Sequence, residues 1–176
     1  FGLDALHKAF PEAQILSTAQ TAYLIEASKD FKLNVWTGQL GADAPDTLLV
    51  PQPVDSLPSI EGNALQIKYN SDDSAHPFVW IPSLRAIVGG GSVTEGFHVW
   101  MADTKGDKGL ELWQKVISAM KQLNPATVIP AHYLSSDYKP TVLDFMDKYL
   151  AAYRQAAAES KDAAALTAAM EKAFPE

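Results

Sequence analysis

Phe78-Val79-Trp80-Ile81-Pro82-Ser83-Leu84-Arg85-Ala86-Ile87-Val88-Gly89-Gly90-Gly91 decides how the rest of the chain is read. Phe78–Ile81 and Ala86–Val88 are apolar runs too short for helices, so they read as two buried strands. Pro82 ends the first, because proline has no N–H to give to a sheet ladder. A Pro-Ser turn joins the two. The second strand runs into Gly89-Gly90-Gly91, which admits two readings. Glycine lets a backbone come close to a ligand, which makes a functional rim; it equally suits a tight exit from strand to loop.

Upstream, Asn70 to Ser74 is a polar turn, and its Asp72-Asp73 pair reads either as metal ligands or as a hydrated turn. Gly62-Asn63, with Ser59–Glu61 before it and Ala64–Tyr69 after it, predicts a hairpin. Thr47–Val50 and Ala13–Leu16 are strand candidates. Asp4–Phe10 reads as the end of a short helix stopped by Pro11. Ser17 followed by Gln20 is a capping-box pattern, which predicts a helix with Ala19, Ala22, Tyr23 and Leu24 on its face. That helix runs to about Asp30, and Leu33–Leu40 can continue it.

Downstream, Gly109–Leu123 predicts a helix with Leu110, Leu112, Trp113, Val116, Ile117, Ala119 and Met120 as its apolar stripe. Thr127–Ile129 is a buried strand that opens into Pro130-Ala131-His132-Tyr133. Thr141–Glu159 predicts a helix with Val142, Phe145, Met146, Tyr149 and Leu150 inward. A last helix spans Asp162–Ala173. Strands alternate with helices, so the fold class is α/β, with no repeat and no domain boundary in view.

The 176 residues suffice for one domain with a core. A net charge of −7 with no basic stripe argues against nucleic-acid binding. The absence of cysteine excludes disulfides, thiolate catalysis and cysteine-held metals, and fits cytosol and periplasm alike. No apolar run is long enough to predict a membrane span. The start at Phe1-Gly2-Leu3-Asp4 reads as the middle of an element and predicts a mature or truncated product.

Of the four histidines, His7 reads as a surface residue and His76 as a strand-start residue before Pro77. His98 and His132 fall at strand-end loops, where α/β proteins bind ligands. Glu95 and Asp103 lie in the same loops, Asp103-Thr104 also suiting a cap or turn. No nucleophile-elbow or phosphate-loop motif occurs, and the residue chemistry alone holds no complete catalytic set.

Four stretches together resemble the metallo-β-lactamase-fold hydrolases, specifically a bacterial subgroup. They are Phe1-Gly2-Leu3 with Phe10-Pro11, the Phe78–Val88 double strand, Gly96-Phe97-His98-Val99-Trp100-Met101-Ala102-Asp103-Thr104, and Val128-Ile129-Pro130-Ala131-His132. The resemblance implies an αββα sandwich, of which this chain is an incomplete, C-terminal part forming one domain. It implies a two-metal site, usually zinc, whose activated water attacks an ester, amide, thioester or phosphoester.

Carried over by residue, the resemblance makes His132 the one candidate metal ligand. It puts His98 in the substrate pocket, with Trp100 and Asp103 beside it. A later histidine ligand falls at Asn70, with His76 as a substitute if the loop shifts, and the bridging carboxylate falls at Gly91. The His-x-His-x-Asp-His motif expected before Phe1 is not in the chain. Two functions follow: a hydrolase impaired or inactive as this chain, or a non-catalytic descendant that binds a small ligand or protein. A missing first sheet would leave apolar surface wet. At about 25 cal/mol/Å², some 400 Å² forgoes roughly 10 kcal/mol of burial. The expected cover is a second copy, strand exchange or a separate N-terminal fragment.

Overall fold

The computed structural model describes residues 2–46, 48–70, 72–104 and 106–175. Phe1, Thr47 of the predicted strand and Ser71 of the predicted turn lie outside the described residues. The chain divides into two compact units, residues 1–57 and 58–176.

In the first unit, helix α1 covers Leu3–Ala9 and closes at Phe10, ahead of Pro11. Strand β1 is Leu16–Ser17 and helix α2 is Ala19–Leu40, which takes in the whole Leu33–Leu40 stretch. The cap is Thr18, whose Oγ1 accepts the Thr21 N–H at 3.1 Å, one residue past the predicted box. Of the predicted α2 face only Ala22 is buried, and Tyr23 stays 71% exposed. Strand β2 falls at Gln52–Pro53, later than the predicted strand, and pairs in parallel with β1. The Gln52 and Val54 N–H groups donate to the carbonyls of Ile15 and Ser17. The pairing uses every second residue, so Pro51 and Pro53, which have no N–H, fall at positions that need none.

The second unit opens with a tight turn at Ile60–Asn63. Glu61 and Gly62 both have positive φ, 51° and 79°, as a type I′ turn requires. Ile60 and Asn63 exchange two backbone hydrogen bonds but extend into no further pairing. The predicted Gly62-Asn63 hairpin is therefore displaced by one residue and reduced to a bridge. The residues after it, Gln66–Asn70, form β3 and pair with β4 instead.

β4 is Asp73–Ile81 and β5 is Ala86–Thr94, joined by a single turn of 3-10 helix at Pro82–Leu84. Helix α3 (Gly106–Gln122), strand β6 (Thr127–His132) and helices α4 (Val142–Glu159) and α5 (Ala163–Ala173) complete the unit. The sheet order is β3-β4-β5-β6, with β5–β6 parallel and the rest antiparallel.

Both strands of the central hairpin are longer than the sequence predicts, and the three glycines lie inside β5, not at its exit. Between Val88↔Ile129 and Thr94↔His132, β5 advances six residues while β6 advances three. The glycines absorb this surplus in bulges: Gly90 has φ +53°, and a Cβ on Gly89 would lie 2.6 Å from Val93 Cγ2.

Cross-strand registration sorts the sheet into two faces. Trp80, Ile87 and Val128 form one row and are buried under helices α3 and α4. Ile67, Val79, Val88 and Ile129 form the adjacent row, which points the other way and is less covered. The helical layer is held by Leu110, Trp113, Val116, Ile117 and Met120 of α3 and by Val142, Leu143, Met146, Tyr149 and Leu150 of α4. Lys121 bridges α3 to Asp144 and Asp147 of α4. α5 lies against α4, with Met170 buried.

Candidate functional site

His132 ends β6 and is exposed; it stands opposite Thr94, and its carbonyl accepts the Glu95 N–H at 2.8 Å. The loop after β5 is clamped to the loop after β6. Gly96, at φ +73°, sits so close to Leu134 that a Cβ would fall 2.9 Å from its side chain, and Ser135 donates to Glu95 Oε2 at 3.1 Å.

Beyond Gly96 the loop places the predicted pocket residues in two separate pairs. His98 is half-buried, with Nδ1 3.0 Å from the Tyr149 hydroxyl of α4. Burial pushes the Tyr149 phenol above its ordinary value, while a hydrogen bond from the Val99 backbone pulls it back. Trp100 points outward, 65% exposed, and its Nε1 donates to Asp103 Oδ2 at 3.1 Å.

The two positions at which the sequence resemblance expects lost ligands are also distinct. Asn70 ends β3, and its Oδ1 accepts the Asp72 N–H at 3.0 Å. Gly91 lies in the bulged part of β5, with open space around a would-be Cβ.

Asp73 does not remain in a hydrated turn. It is buried, and its carboxylate oxygens lie 2.8 and 3.0 Å from His76 Nδ1. His76, also buried, stacks on Trp113 of α3 with ring centres 4.1 Å apart. Trp113 Nε1 donates to the Ser92 carbonyl at 2.9 Å, which ties β4, β5 and α3 at one point. No sequence signal marked this cluster, because residues three apart on a regular strand face opposite ways. Here the register moves from Lys68↔Phe78 to Asn70↔Asp73, so β4 gains three residues over β3, and the irregularity brings Asp73 and His76 together.

A catalytic zinc typically takes three protein ligands. Among the described residues no three of His, Asp or Glu converge to hold a metal. Asp73 and His76 are engaged with each other, Asn70 with a backbone amide, and Gly91 offers no donor. The described residues thus do not fit the two-metal centre that the sequence resemblance implies.

Neither a protein-family profile nor a curated protein sequence matches the chain. Solved structures do. A metallo-β-lactamase from Pontibacter korlensis superposes with a TM-score of 0.55 at 18% identity, over 85% of this chain and 62% of that one. DIM-1 metallo-β-lactamase, in a crystal structure obtained after exposure to ceftazidime, gives a TM-score of 0.50 at 14% identity, over 85% and 61%. The chain has the mixed α/β fold of metallo-β-lactamases and spans about three fifths of the length of those structures.

Proposed function

We propose that this chain is a metallo-β-lactamase-like domain of the hydrolase type, directed at an ester, amide or related bond and impaired in that chemistry by its own donor set. The pairing of Asp73 with His76 carries the proposal: the two are buried against each other, and among the described residues no third His, Asp or Glu joins them to hold a metal. In this reading the loop that carries His98, Trp100 and Asp103 faces a small-molecule substrate, His132 is the one remaining metal-ligand position, and Asn70 and Gly91 are degenerate ones. The 85% coverage supports treating residues 1–176 as parts of one domain.

Zinc titration of the purified protein, alongside hydrolysis of p-nitrophenyl acetate, tests this. The expected result is less than one equivalent of zinc bound, no zinc-dependent turnover, and a Tm unmoved by chelator. One tightly bound equivalent with zinc-dependent turnover overturns it.

A second reading is a hydrolase completed by donors outside the described residues. It is favoured by the exposure of His132 at the end of β6, where it is accessible to an added ligand set. It predicts about one equivalent of zinc in the full-length protein and loss of that zinc in His132→Ala.

A further inference from the structure

A cleft of about 370 Å³ opens between the loop that carries His98, helix α4 and helix α5. Its walls include Met101, Tyr149, Leu166 and Met170, with His98 and Glu171 as its ring nitrogen and carboxylate groups. None of Asn70, Gly91 and His132 lines it. The volume suits a small ligand at the low end of the range for binding pockets, and two methionines give a wall that adapts to the shape of an apolar body.

The polar end is set by Tyr149. The Tyr149 hydroxyl lies 3.0 Å from His98 Nδ1 and can donate its proton to that nitrogen. A neutral imidazole that accepts at Nδ1 carries its proton on Nε2. No buried side-chain nitrogen or oxygen among the described residues lacks a partner, and Tyr149 is the one hydrogen-bond partner of His98, at Nδ1. Nε2 is therefore open to an incoming acceptor. Glu171 in the same lining, on a chain of net charge −7, disfavours an anion.

We propose that this cleft binds a small neutral amphipathic molecule, an apolar chain or ring ending in an uncharged carbonyl, with that oxygen accepting from His98 Nε2–H and Tyr149 fixing the tautomer. Tyr149 is a positioning residue here. The site goes beyond the hydrolase reading and stands whether or not the chain binds zinc.

Hexanamide is the probe, read by NMR of labelled methionine methyl groups in the purified protein. The expected result is saturable movement of Met101 and Met170, with a Kd on the order of 1 mM, while the core residue Met120 stays still. Hexanoate binds about tenfold more weakly or not at all, and His98→Ala weakens hexanamide about tenfold. In Tyr149→Phe the His98 ring-nitrogen shifts change from a single Nε2–H tautomer to a mixture, an effect that a purely structural tyrosine would not produce. Silence at Met101 and Met170 overturns the site. Equal binding of hexanoate overturns the neutral-ligand assignment, and an unchanged tautomer in Tyr149→Phe overturns the role of Tyr149. None of these readouts involves turnover or metal, so their failure is separable from failure of the hydrolase reading.

Discussion

Ile87 and Val88 are neighbours on β5, yet one is fully buried and the other 38% exposed. Each belongs to a row that crosses the sheet. Ile87 sits with Trp80 and Val128 under α3 and α4; Val88 sits with Ile67, Val79 and Ile129 on the opposite face. Apart from Gln66, which pairs with Trp80 on the edge strand, both rows are apolar. A sheet with one wet face would alternate apolar with polar, whereas a sheet meant to be covered on both sides reads as continuous apolar runs. The second face is therefore written for a covering layer, in keeping with the sandwich of the metallo-β-lactamase fold.

Mutations that separate the faces test this. The largest effect is expected for Trp113→Ala, which empties the buried side of α3 and removes the stack on His76; unfolding in denaturant should lose about 3–5 kcal/mol. Asp73→Ala leaves His76 buried without its partner and should lose about 3 kcal/mol, less than that only if water enters. On the open face, Val88→Ala should lose about 1 kcal/mol or less. A loss comparable to that of Ile87→Ala would mean that another layer covers the face in solution. Light scattering then distinguishes a second copy from cover within one chain, and a well-ordered monomer would contradict association through this surface. Gly91→Asp meets open space and should move stability by less than about 0.5 kcal/mol.

One further test is directional. The raised Tyr149 phenol means that the folded state keeps its proton longer than the unfolded chain does. Its contribution is fully present below the unfolded value near 10 and is lost as pH rises through the higher folded value, so Tyr149→Phe should flatten the alkaline limb of a stability-pH profile.

Residues 78–88 made the hairpin legible because apolar runs broken by proline carry their own length and direction. Helices α3 and α4 were legible because spacings of three and four repeat along them. α2 was harder: it is a real helix of 22 residues in which Ala22 alone is buried, so periodicity had little to report. Errors gathered wherever pairing, not local preference, sets the register. The Glu61-Gly62 turn lies one residue early, β2 follows the carbonyls of β1, and β5 carries its glycines inside the strand. The Asp73–His76–Trp113 cluster was invisible for the same reason, since it exists only because β4 slips against β3. The sequence drew attention to His98, but not to the fact that Tyr149, 51 positions beyond it, is what His98 touches.

The slack in β5 has a consequence for how this chain drifts over generations. Val88 and Thr94 are pinned by β6, and the surplus residues between them bulge without displacing either end. Spelling can change at Gly91, where a Cβ meets open space, while Ile87 keeps its place in the core and His98 keeps its loop. Gly91 is a tolerant position within an otherwise strict frame, so a lineage can change the side chain there without having to rebuild the fold around it.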